Sequence, residues 1–321
     1  MLKPYPKALP VIASTLLSLA ISSAVIAKDD FLIQGKLGID NENISGLVVT
    51  ENFAALATDE GTEMQILPRQ NNTFIAEKSG IIRLTNNEDE LDLEGLAWQA
   101  PYLYAIGSHS HKRKKIKADA SEKKNFKRLS KIVHEPSRHQ LFQLELSDNG
   151  KVKNIRSLSL DKWLVENEIL APFSKLPSKE NGVDIEGIAV TENHLYVGFR
   201  GPVLRGNLAA ILRFNLKADK FKLNKPELQL VNLGGLGIRD MLATEDRLIL
   251  LAGPVSEEPR RFAIFNWDGT TRFQAMSPLK TLNSPAAKPE AIALDSRKAN
   301  VVWMAQDGLS NGGIQLLPLS E

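Results

Sequence analysis

Gly182-Val183-Asp184-Ile185-Glu186-Gly187-Ile188-Ala189-Val190, continued by His194-Leu195-Tyr196-Val197-Gly198-Phe199-Arg200-Gly201-Pro202, is the stretch that decides the fold. A short apolar run is entered through two acids, turns, and returns as a second apolar run ending in Arg-Gly-Pro. Short apolar runs bounded by turn signals read as paired antiparallel strands. The pattern recurs at Ser45-Gly46-Leu47-Val48-Val49, Glu94-Gly95-Leu96-Ala97-Trp98, Arg239-Asp240-Met241-Leu242-Ala243 and Glu290-Ala291-Ile292-Ala293-Leu294. Each copy is followed by a second apolar run, then a third over 63–67, 139–146, 209–216, 261–267 and 313–317. Fourth runs follow at 81–84, 151–160, 228–233 and 271–276. Four short antiparallel strands repeated in this way make an all-β protein of the β-propeller type.

Repeat starts at 45, 94, 186, 240 and 290 give five blades. The long step from 94 to 186 holds either a sixth blade or an insertion. An insertion is favoured because the excess is a lysine-rich segment at about 110–138 plus residues 161–181, which open as a short helix at Asp161. The last unit has three strands, and residues 31–37 stand alone before the first. They are expected to pair with the last blade and close the ring without an open edge.

Composition bounds the remainder. Hydrophobic residues are 43% and charged residues 24% of 321, as in a globular protein with a sizeable core. Residues 1–27 carry two lysines, then an apolar, small-residue-rich run ending at Ala27, and predict a signal peptide, with 28–321 forming the propeller domain. The expected location is periplasmic or secreted, with no transmembrane segment after cleavage. Cysteine is absent, which excludes disulfides, thiolate metal sites and cysteine nucleophiles. Net charge is only +2, although the segment 112–131 alone carries ten Lys or Arg against Asp119 and Glu122. That run reads either as a solvated loop or as an arm for anionic partners such as lipopolysaccharide headgroups. With Phe126 as its one aromatic residue, it gives no sign of specific nucleic-acid binding.

In a propeller, the starts of the first strands and the ends of the second strands share one face. That rule gathers Asp92, Glu94, Asp184, Glu186, Asp240, Glu290, Arg239, Asp59, Ser108, His109, Arg200 and Asp307 at one mouth. So many acids repel one another unless something offsets the charge. Four outcomes are open. Glu94, Glu186, Asp240 and Glu290 hold Ca²⁺ or Mg²⁺ through oxygen ligands; Arg200 and Arg239 pair with them; one acid stays protonated and works as a general acid; or the acids bond neighbouring backbone N–H groups. Arg200-Gly-Pro-Val-Leu-Arg205-Gly reads as a loop suited to an anion. His109 and His111, two residues apart, suggest a proton carrier or metal ligands, with Glu94 or Glu186 as a third. Ser108 lacks a Gly-x-Ser-x-Gly setting, so a nucleophile reading is weak, and it joins Arg200, Arg205 and Arg239 as a substrate-binding candidate.

Asp92-Leu-Glu-Gly-Leu-Ala97, Gly107-Ser-His-Ser110, Asp184-Ile-Glu-Gly-Ile-Ala189, Arg200-Gly-Pro-Val-Leu-Arg-Gly206, Gly237-Ile-Arg-Asp240 and Pro289-Glu290 together resemble a bacterial family known as domain of unknown function 3616. The blades are also similar to those of esterase-like phytases. The resemblance implies a propeller whose acidic and arginine motifs share a site, and brings no assigned activity. Two functions are therefore expected. One is a metal-dependent hydrolase of the phosphoester or lactone type, acting on a small anionic substrate, with Glu94, Glu186 and His109 as catalytic groups. The other is a monomeric binding module that uses the same mouth without turnover.

Overall fold

A computed structural model of the chain describes residues 31–148, 150–256, 261–282, 287–294 and 300–319. The leader expected over 1–27 lies outside the described residues. Five sheets, antiparallel except for one outer pair in the first, stand around a central axis. Their innermost strands are Ile44–Val49, Leu93–Gln99, Asp184–Val190, Gly237–Ala243 and Pro289–Leu294, defining blades 1 to 5. Each packs against the inner strands on both sides, and blade 5 meets blade 1, so the ring closes. The second strands are Phe53–Thr58, Tyr102–Gly107, His194–Leu204, Leu248–Gly253 and Val301–Gln306. All five repeats read from the sequence are therefore blades.

The core is divided into five apolar slabs, one between each pair of neighbouring blades. Ile106 and Leu141 of blade 2 meet Ile188 and Phe199 of blade 3, for example. Ile238 and Met241 of blade 4 meet Ala189 and Tyr196 of blade 3. Both faces of each sheet are thus buried. This explains why the strands read as continuous apolar runs rather than as strict alternation.

Two expectations are corrected. Leu32–Gly35 pairs in parallel with Thr73–Ala76 of blade 1, not with blade 5. The Thr73–Ala76 strand turns back from the third strand of blade 1 and offers a nearer free edge. Blade 5 has three strands among the described residues. Its junction with blade 1 is sealed differently. Phe31 stacks on Phe74 at 4.5 Å and meets Trp303 edge-on at 5.2 Å. Gly308 N–H donates to the Glu42 carbonyl at 2.8 Å, and Gly312 N–H to that of Asn41 at 3.1 Å. In blade 4 the outer strand is Lys280–Leu282, not 271–276. The earlier segment runs instead beside the outer strand of blade 3, where Phe273 N–H donates to the Leu230 carbonyl and Met276 N–H to that of Asn232, both at 3.0 Å, and Asp268 accepts the Thr271 N–H at its start.

The basic segment is exposed to solvent but is built from a hairpin and a helix rather than a loop alone. Strands His111–Arg113 and Ile132–His134 pair antiparallel and flank the helix Glu122–Leu129. A second helix, Asp161–Glu166, buries Leu164 against blades 2 and 3.

Candidate active site

One irregularity repeats in every blade. Pairing between the first and second strands slips between Ile44 and Gly46, Leu93 and Gly95, Ile185 and Gly187, Ile238 and Asp240, and Pro289 and Ala291. The extra residue of each bulge is Ser45, Glu94, Glu186, Arg239 or Glu290. A bulge re-aims one side chain out of the pleat, and these five all line a single cavity of about 1400 Å³ at the channel mouth. The following residue is the one packed against the next blade. A Cβ on Gly187 would lie 2.5 Å from Met241 Cγ, and one on Gly95 would lie 2.8 Å from the Glu186 carbonyl oxygen. The recurrent Glu-Gly pair is therefore a bulge followed by a close approach between inner strands.

This register corrects Asp240. It occupies the glycine position, not the mouth position. Its carboxylate accepts N–H bonds from Met241 and Ile292, both at 2.7 Å, and ties blade 4 to blade 5. Burial holds its pKa well above the usual carboxylate range. Arg239, one residue earlier, is the group that reaches the mouth.

Across blades 3 to 5 the mouth carries a continuous ion-pair chain. The Arg200 guanidinium bonds Asp184 and lies 2.5 Å from Glu186. Arg239 lies 3.0 Å from the other Glu186 oxygen and bonds Glu290. Asp184, Glu186, Arg200 and Arg239 are all buried. Burial pushes Glu186 up to about 7, although both arginines pull it down. Blade 2 has a second cluster, which sequence reasoning missed. Arg138 bonds Glu90 and lies 2.6 Å from Asp92 and 2.8 Å from Glu135. It sits outside the repeat pattern, on the turn before the third strand of blade 2, so no periodicity marks it.

Two mouth carboxyls have no such partner. Among the described residues, Asp59 and Glu94 make no ion pair or side-chain hydrogen bond, and one oxygen of Asp59 is buried. Burial raises Glu94 well above its usual range, and Asp92, Glu186, Asp184 and Asp59 add to the rise. Asp59 is pushed up to about 7, first by burial and then by Asp92, Glu60, Asp307 and Glu290. Of the four carboxylates expected to hold Ca²⁺ or Mg²⁺, only Glu94 is not already bonded to an arginine or to the backbone.

Three further candidates leave the site. His109 Nδ1 faces the Gly107 carbonyl at 2.9 Å, and its Nε2 accepts the Leu160 N–H at 3.1 Å. Burial lowers it to about 4, so it is a neutral structural residue that cannot move a proton at the mouth. Ser108 is fully buried beneath Asp92, which its hydroxyl bonds. Arg205 is exposed on the turn between the second and third strands of blade 3. Arg200 to Leu204 is strand and not loop, so the second arginine is carried away from the mouth.

The insertion supplies what Arg205 does not. Lys112, Arg113, Lys114, Lys115, Arg128 and Lys131 line the same cavity as the acids. Lys112 bonds Glu135 at 2.6 Å, and Arg113 Nη2 donates to Glu180 at 2.8 Å. Lys114 and Lys131 form no side-chain ion pair among the described residues. A basic wall therefore overhangs an acidic floor.

Residues 43–287 match a family described as protein of unknown function (DUF3616). No curated protein matches the chain. Among solved structures, the glutaminyl cyclase of Myxococcus xanthus is 12% identical over 87% of this chain and 90% of that one, with a TM-score of 0.44. A GH43 β-1,3-galactosidase with galactodeoxynojirimycin is 10% identical over 91% of this chain and 94% of that one, with a TM-score of 0.48.

Proposed function

The chain belongs to the DUF3616 family, and from the geometry of its mouth we propose that it is an exported hydrolase of small anionic substrates, of the phosphoester or lactone class. The observation that carries this reading is Glu94. It is a mouth carboxyl without a partner, and burial together with the neighbouring acids raises its pKa well above the usual carboxylate range, the direction a general acid requires.

The roles follow from the charges. Lys114 and Lys131 attract the anionic group, and the basic wall orients the scissile bond over the acidic floor. Protonated Glu94 gives its proton to the leaving oxygen as that bond breaks. Ionised Asp59 takes a proton from the attacking water as the new bond to oxygen forms. Arg200 and Arg239 do not bind substrate in this scheme. They neutralise Asp184, Glu186 and Glu290, so that the remaining acids can be tuned separately. A Ca²⁺ or Mg²⁺ ion would find only Glu94 and Asp59 as available carboxylates and would have to ionise both, so in this scheme it competes with the proton on Glu94 and should inhibit.

The test is a panel of aryl phosphomonoesters, phosphodiesters and lactones, assayed with and without Ca²⁺ or Mg²⁺. Turnover on one class, falling about 10²- to 10⁴-fold in Glu94→Gln with little change in melting temperature, is the expected result. Anionic ligands that raise the melting temperature without any turnover would replace this reading with a binding role. Turnover untouched by Glu94→Gln would remove Glu94 from the chemistry.

A further inference from the structure

Four of the chain's five histidines line one cavity beside the helix Asp161–Glu166, separate from the acidic mouth. His111 and His134 are directly opposite each other across the two strands of the insertion. Their rings stack at 4.7 Å. His139, on the turn before the third strand of blade 2, meets His134 edge-on at 4.5 Å and His111 at 5.6 Å. One ligand nitrogen from each of these three lies within 4.8 Å of the other two. His109, the fourth histidine, has both ring nitrogens bonded to backbone and is not available.

Two observations turn this cluster into a site. The Nδ1 of His139 lies 2.6 Å from Asp161 Oδ1, which fixes the tautomer with the proton on Nδ1 and leaves Nε2 as an acceptor. That Nε2 is buried and has no partner, and neither does the buried Nδ1 of His111. His139 is only 4% exposed, so its orphaned nitrogen would carry a desolvation cost with nothing bound. A carboxylate that holds the far nitrogen of an imidazole is the usual support of a histidine metal ligand.

We propose that His111, His134 and His139 bind one Zn²⁺ ion, with Asp161 orienting His139 and a fourth position open to the adjoining cavity. Three neutral imidazoles suit Zn²⁺ and other late divalent transition metals. They do not suit Ca²⁺ or Mg²⁺, which take oxygen ligands. Tetrahedral Zn–N bonds place neighbouring nitrogens about 3.3 Å apart, so small side-chain rotations would close the trio. The three histidines and Asp161 line a cavity of about 490 Å³, to which Lys175 also contributes. Two ligands sit on the insertion and one on the propeller body. The ion would therefore pin the basic wall to blade 2, from which it overhangs the mouth. This site is independent of the hydrolase reading, since no mouth acid takes part in it.

The experiment is a titration of the chelator-stripped full chain with Zn²⁺ by calorimetry, with Co²⁺ as a spectroscopic probe and trypsin as a probe of the lysine-rich insertion. The expected results are one Zn²⁺ per chain, visible tetrahedral Co²⁺ bands, and Zn²⁺-dependent protection of 112–131 from cleavage. His111→Ala or His139→Ala should abolish all three, and Asp161→Asn should weaken affinity about 10- to 100-fold. His194→Ala, outside the cluster, should change none of them. The absence of stoichiometric Zn²⁺ binding by the unaltered chain would overturn the proposal. So would Zn²⁺ binding that survives in the His111→Ala/His139→Ala double variant, or that is lost in Glu94→Gln instead. Far-UV circular dichroism of each variant separates loss of the site from loss of the fold.

Discussion

The mouth has two unlike arcs built on the same backbone device. In blades 3 to 5 the bulged residues Glu186, Arg239 and Glu290 alternate in sign and, with Asp184 and Arg200, form one ion-pair chain. In blades 1 and 2 the bulged residues are Ser45 and Glu94. Ser45 Oγ donates to the Leu93 carbonyl at 2.5 Å, and Glu94 makes no ion pair or side-chain hydrogen bond among the described residues. The first arc fixes structure, because its charges are buried and mutually bonded. The second leaves buried carboxyls without partners, and burial first, then repulsion among the acids, raises their pKa values where a reacting group needs them raised. Identical strand geometry therefore does not imply identical roles. Whether an arginine bonds the bulged acid decides which role each takes.

The two arcs should respond oppositely to charge removal. Arg200→Ala leaves Asp184 and Glu186 buried without their guanidinium and should cost about 3–5 kcal/mol of stability in urea unfolding. Glu94→Gln removes a repelled acid and should leave the unfolding midpoint unchanged or higher. Equal losses in both would erase the distinction. Asp240 offers an intermediate case, since it is bulge-adjacent and belongs to neither arc. Asp240→Ala strips the acceptor from the buried Met241 and Ile292 amides and should cost about 1–3 kcal/mol without altering ligand binding at the mouth.

The pH dependence should locate the repulsion. The folded pKa of Asp59, about 7, lies above its ordinary value of 3.8. Between those values the folded state binds the proton more tightly. The stabilisation is thus complete below about pH 4 and is lost as pH rises through 7. Thermal unfolding across this window should show stability declining with pH in the unaltered chain, and declining less in Asp59→Asn. The smallest effect belongs to the wall above. Lys114→Gln with Lys131→Gln should raise KM for an anionic substrate by up to about fivefold, an effect that added salt should shrink.

Much of this architecture was legible in the residues. Five repeats, their first two strands and the shared mouth all follow from apolar runs punctuated by turns, because each blade buries both faces. The acid–arginine pairing was one of the four outcomes open from composition alone. What periodicity could not supply was register. A bulge shifts the side-chain alternation by one, so Arg239 and not Asp240 faces the channel, although Asp240 aligns by eye with the acids of other blades. Arg138, His134 and His139 lie in or beside the insertion, where no repeat frames them. Only the folded hairpin brings them to their partners. The outer strands were the weakest reading, since edge pairing depends on which free edge is nearest, as Leu32–Gly35 shows.

Glu94 makes no ion pair and its pKa is raised by burial and by neighbouring acids, while its counterparts Glu186 and Glu290 across the mouth are bonded to arginine. Infrared difference spectroscopy between the unaltered chain and Glu94→Gln at pH 7 reads the protonation state directly. The expected result is the loss of a protonated carboxyl C=O stretch. Loss of an ionised carboxylate band instead would contradict it.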